Sequence, residues 1–178
     1  MYDVEVEHCA FELHPGVPVE GQQVPWPPER MATARARFAQ VAEAERLAYG
    51  ERTHWYNSEP AHQAALWADD QGTGEAFRRA VYRAYFADGL NIARPDVLAG
   101  LAEVNGLDGE ALRTVLAEGT YRDKVQEQFE YARQAGITGV PAYVAGRYLM
   151  VGAQPLEVYK QLIETARAEE RAGAAADE

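Results

Sequence analysis

This sequence is short of cysteine. One cysteine, Cys9, stands among 178 residues. A single thiol cannot close an intramolecular disulfide, nor can it supply a two-thiol redox centre. Basic residues are also in deficit. Lysine and arginine number 17 against 28 acidic residues, for a formal net charge of −11. A phosphate backbone would be repelled by that charge, which excludes nucleic acid as the expected partner. The ordinary consequence of such acidity is solubility. Long apolar runs are missing as well, since none approaches the roughly 20 residues of a membrane span. The opening residues Met1-Tyr2-Asp3-Val4-Glu5-Val6-Glu7 have neither a basic segment nor the apolar stretch of a signal peptide. A cytoplasmic protein without a membrane partner is expected.

What is present reads as an ordinary globular chain, with 47% hydrophobic and 25% charged residues. Val4 and Val6 alternate with Glu5 and Glu7, a period that predicts a strand over residues 3–8. Residues 11–28 are rich in proline and glycine and read as an ordered loop. Pro27-Pro28-Glu29 suits a helix start, and Gly50 suits its end, giving a helix over about 29–49. Residues 51–56 read as short and extended. Asn57 or Ser58 caps the next helix, with Pro60 in its first turn. Phe77, Val81 and Tyr85 recur every four residues and mark an amphipathic helix over about 74–87. Further helices open at Pro95, at Asp108 and near Tyr121, the last of them ending at Gly136. Two short strands, 142–145 and 148–151, form a hairpin around Gly146, and a final helix covers 155–170. The tail, 171–178, reads as frayed. Strands at both ends with helices between them predict an α/β core carrying an inserted helical domain.

The most specific stretch is Thr138-Gly139-Val140-Pro141-Ala142-Tyr143-Val144, followed by Gly152-Ala153-Gln154-Pro155. With Phe11-Glu12-Leu13-His14-Pro15, Tyr56-Asn57-Ser58, Ala61-His62 and Phe77 to Phe86, it resembles the DsbA-like branch of the thioredoxin superfamily. The FrnE-like oxidoreductases are the nearer likeness, which covers roughly residues 3–165. The resemblance implies a thioredoxin-like sheet with an inserted helical domain. Residues 1–28 and 137–170 would form the thioredoxin-like core, and 29–136 the insertion. It implies thiol–disulfide oxidoreductase chemistry on a thiol-bearing peptide or small molecule, with no cofactor. It also implies a cis Val140–Pro141 bond and a substrate groove formed by Val140, Pro141, Asn57, His62 and Gln154. Family members open with a strand, a Cys-Pro-Trp-Cys turn and a helix before the segment matching Val4–His8. That first strand and redox helix are absent from this sequence, so no catalytic residue is assigned.

Three readings stay open. The natural chain begins further upstream and carries the cysteine pair there. Alternatively, this is a paralogue that binds a partner without redox chemistry. The third is a glutathione-dependent isomerase of the hydroxychromene-carboxylate type, whose members use a serine in place of the cysteine. An unfilled sheet edge would also favour a homodimer.

Other residues invite chemistry and have plainer explanations. His8 and Cys9 are adjacent, and neighbours on a strand point to opposite faces, which prevents a Cys–His pair. A lone cysteine is expected to be buried and inert. His8, His14, His54 and His62 fit no zinc spacing, so no metal is expected. Trp55, Tyr56 and Trp67 read as core sooner than as a groove wall.

Overall fold

The computed structural model describes residue 2 and residues 4–176, with side chains through residue 171. Two compact units divide the chain, Met1–Gln128 and Phe129–Glu178.

Helices build the first unit. Residues 4–8 form no strand. The alternation of valine and glutamate suits a ladder, yet Val4–Glu7 make no hydrogen bond among the described residues. A strand exists only when its backbone groups are paired. Asp3 lies outside the described residues. The loop over 11–28 contains a strand that its composition hides. β1 (Gln22–Gln23) pairs antiparallel with β2 (His54–Trp55), with Gln22 opposite Trp55 and Gln23 opposite His54.

Helix α1 (Pro28–Ala44) starts as its prolines require and stops six residues before Gly50. Arg46 sits in the left-handed region at φ 56. Leu47 N–H donates to Ala42 O at 2.7 Å, and Arg46 N–H to Glu43 O at 3.1 Å. This is the double-bonded helix end normally built around glycine, here with arginine in its place. Gly50 serves another purpose. Its N–H donates to Phe86 O at 2.9 Å, and a Cβ there would lie 2.0 Å from Ala87 O. The glycine is needed for close backbone approach.

The core of this unit joins α2 (Glu59–Asp70), α3 (Gly74–Phe86), α4 (Pro95–Val104) and α5 (Gly109–Glu118). Ala61, Ala64, Ala65 and Ala68 are buried along α2. Their small side chains let α2 lie close to α3 and α5. Phe77, Leu98 and Leu112 are fully buried and fill the space between the helices. Each such side chain contributes about 2–3 kcal/mol. Trp67 belongs to this core and Tyr56 packs against it. Asp108 caps α5, its Oδ1 accepting from Glu110 N–H at 2.9 Å and Ala111 N–H at 3.0 Å. α6 (Arg122–Gln134) follows, with Val125 fully buried.

A hairpin and a helix make up most of the second unit. β3 (Ala142–Ala145) pairs antiparallel with β4 (Tyr148–Val151), Ala142 opposite Val151 and Ala145 opposite Tyr148. The two-residue turn starts at Gly146, whose φ of 56 suits a residue without a Cβ. α7 (Leu156–Ala176) packs on one face of this hairpin. There Tyr143 and Tyr159 meet edge to face with centroids 4.9 Å apart. Arg147 pairs with Glu169 at 2.5 Å. The helix runs on through Ala176, where the sequence suggests a frayed end from Arg171 onward.

Candidate functional site

In the first unit the expected site residues cluster at the start of α2. Asn57 Oδ1 accepts from Glu59 N–H at 2.8 Å, so its amide closes the entry turn of the helix. Ser58 holds the N-cap position and makes no side-chain cap bond.

One turn further, half-buried His62 places Nε2 3.2 Å from Phe11 O. Read as a donor, that nitrogen ties the incoming segment to the helix. Desolvation pushes the His62 pKa down to about 4, against the pull of the Phe11 hydrogen bond and with help from the Arg78 charge. The imidazole is therefore neutral near pH 7. Such a ring can hold a hydrogen bond, and it is poorly placed to carry a positive charge toward a ligand.

Cys9 is exposed, which corrects the expectation that it is buried. Its Sγ lies 3.8 Å from Gln128 O and from Ala10 O, which are long, weak contacts. Desolvation first, and then the charge of Glu7, raise its thiol pKa. A raised pKa keeps the thiolate scarce at neutral pH, so exposure does not make this cysteine a good nucleophile. Beside it, Gln128 Oε1 accepts from Ala10 N–H at 2.8 Å. No sequence signal marks Gln128, which lies 118 positions away from its partner.

The second unit holds Val140, Pro141 and Gln154. The Val140–Pro141 bond is cis. Val140 is 51% exposed and precedes β3, outside the β3–β4 ladder. Pro141 O accepts from Gly152 N–H at 2.7 Å, which fixes the entry of β3 against the exit of β4. Gln154 Nε2 donates to Val151 O at 3.3 Å, and Gln154 N–H approaches Tyr159 Oη at 3.3 Å. Pro141 and Gln154 thus converge on the same end of the hairpin. Val144, Leu149 and Val151, which share one hairpin face by register, are exposed.

No group of three or more potential metal ligands occurs among the described residues. Nor is any helix among them long and apolar enough to cross a membrane.

Comparison with known proteins agrees with this geometry. The pattern of a DSBA-like thioredoxin domain matches residues 1–164. The crystal structure of a probable DsbA oxidoreductase from Streptomyces coelicolor superposes with a TM-score of 0.85 and 35% identity, over 93% of this chain and 76% of that one. The Bacillus subtilis protein YwbO, described as uncharacterized, is 29% identical over 164 residues, 90% of this chain and 82% of its own length. A 2-hydroxychromene-2-carboxylate isomerase is similar in fold alone, at 18% identity and a TM-score of 0.59, over 86% of this chain and 76% of that one. With its family pattern spanning nearly every residue, the chain belongs to the DSBA-like thioredoxin domain family.

Proposed function

We propose that this chain supplies the substrate-holding part of an FrnE-like thiol–disulfide oxidoreductase, and that residues 1–178 by themselves turn over no disulfide. The observation that carries the reading is the single cysteine. Exchange requires an attacking thiolate and a resolving thiol. Cys9 has no second cysteine to resolve it, and its pKa is raised.

The substrate-holding role rests on Val140, whose exposed position lies outside the ladder. An extended substrate would pair with that backbone as a short added strand. Pro141 and Gln154 border the pairing edge. Asn57 and His62 are the proposed substrate-binding residues of the first unit. The proposed partner is a thiol-bearing peptide or small molecule, with no nucleic acid. A homodimer in the cytoplasm belongs to the same reading, as does the division into a thioredoxin-like core (1–28 and 137–170) and a helical insertion (29–136). The likeness to the isomerase is one of fold and brings no activity to this chain.

Insulin reduction by dithiothreitol tests the chemistry. The rate with this chain should equal that of buffer, and Cys9→Ser should leave it unchanged. Cysteine-dependent turnover above background would overturn the proposal.

A further inference from the structure

α1 is a helix of 17 residues with none of them buried. Its inner side, through Met31 and Arg35, lies against Trp26, Tyr49 and Arg52, all outside helices and strands. No other helix or strand of the first unit lies alongside it. A lone helix of this length is only marginally stable in water, and helices in proteins are held mainly by the face they bury.

The uncovered side carries an ordered stripe. Arg30, Ala34, Phe38, Val41 and Glu45 follow at spacings of four, four, three and four residues, which sets them along one line of the helix and its C-cap. Phe38 is 53% and Val41 56% exposed, and Arg30 and Glu45 are exposed as well. Arg30 stacks over Trp26 at 4.4 Å, and neither it nor Glu45 has an ion-pair partner among the described residues. The stripe is basic at its start, apolar in the middle and acidic at its end. Reversed, it is its own complement, with 30 against 45, 34 against 41, and Phe38 near the centre.

We propose that α1 packs antiparallel on α1 of a second copy of this chain, across a two-fold axis near Phe38. Arg30 of each copy then meets Glu45 of the other, Ala34 meets Val41, and the two Phe38 side chains close the centre. The small Ala34 lets the helices approach closely. A parallel pairing would set Arg30 against Arg30 and Glu45 against Glu45, which like-charge repulsion opposes. A different partner of uniform charge would satisfy one end of the stripe and oppose the other. The proposal names the contact surface of the homodimer in the reading above, and it places that surface away from any sheet edge. It uses no residue invoked for thiol–disulfide exchange, so insulin reduction and self-association can fail separately.

Sedimentation equilibrium of the full chain provides the test. A dimer should form at micromolar concentration. Arg30→Glu and Glu45→Arg should each weaken it at least about tenfold, because each creates two like-charge contacts across the axis. Each also puts an acid near the start of α1 or a base near its end, which favours the helix, so loss of the dimer would not reflect melting of α1. The double variant restores opposite charges and should return to within about threefold of wild type. Val41→Glu should weaken the dimer at least about tenfold, with circular dichroism checking that helix content is kept. A monomer throughout the micromolar range would overturn the proposal. So would a dimer that Val41→Glu and Glu45→Arg leave intact, or a double variant no tighter than either single one.

Discussion

Lowering the pH from 8 to 5 should destabilise this protein in part through His62. His62 has a folded-state pKa of about 4, against an ordinary histidine value near 6.5 in the unfolded chain. Between those values the unfolded state takes up a proton that the folded state refuses. Stability contributed by the neutral ring is complete above about pH 6.5 and is lost progressively as pH falls toward 4. Applied to those two values, linkage gives a loss of about 2 kcal/mol at pH 5. That corresponds to a melting temperature lower by roughly 4–8 °C for a chain of this size.

Carboxylates with depressed pKa values, among them Glu75, Asp96 and Glu130, also lose stability in acid. Glu12, whose pKa is raised, acts in the opposite sense. All of these remain in His62→Gln and cancel when the two proteins are compared. Urea unfolding followed by circular dichroism at pH 8 and pH 5 would measure the difference. Wild type should lose about 2 kcal/mol more than the variant over this interval. Parallel losses would refute the assignment of a neutral, desolvated His62.

Gly50→Ala should cost at least about 3 kcal/mol in urea unfolding, because the new methyl would meet the backbone oxygen of Ala87, which has no side-chain freedom to yield. Leu98→Ala should cost about 2–5 kcal/mol, since Leu98 is fully buried, whereas Val104→Ala, at a position 86% exposed, should stay within about 0.5 kcal/mol. Asp108→Ala should lose about 1 kcal/mol by freeing two N–H groups at the start of α5, a difference visible in its urea midpoint.

Much of the fold could be read from the chain. The four-residue recurrence of Phe77, Val81 and Tyr85 predicts α3, and Asp108 marks the start of α5. The hairpin is legible at residues 142–145 and 148–151, the same bounds as β3 and β4. Those signals are local, so nothing elsewhere in the molecule has to be known.

The misreadings share one cause, which is that a distant partner decides the outcome. Val4 and Val6 alternate with acids as a strand would, but pairing requires a neighbour that the pattern cannot name. Gln22-Gln23 has no alternation at all and forms β1 because His54–Trp55 lies alongside. Gly50 looks like a helix terminator and is retained for Ala87. The motif drew attention to Val140, Pro141 and Gln154, whereas the protonation state of His62 depends on burial and on Phe11, 51 positions away.

The anchoring of residues 10 and 11 divides the start of the chain in two. Ala10 N–H is held by Gln128, and Phe11 O is held by His62. Val4–Glu7 have no such tether among the described residues. A protease needs a stretch of backbone that can enter its cleft without the loss of native bonds, and residues 4–7 offer one, whereas cutting beyond Ala10 requires two tertiary bonds to break first. Digestion should therefore trim this end quickly and then stall at a defined fragment. Deuterium uptake should show the same boundary as a step, immediate before Ala10 and delayed at Ala10 itself. A fluorophore or affinity handle attached ahead of that step would leave the helical core unaware of it.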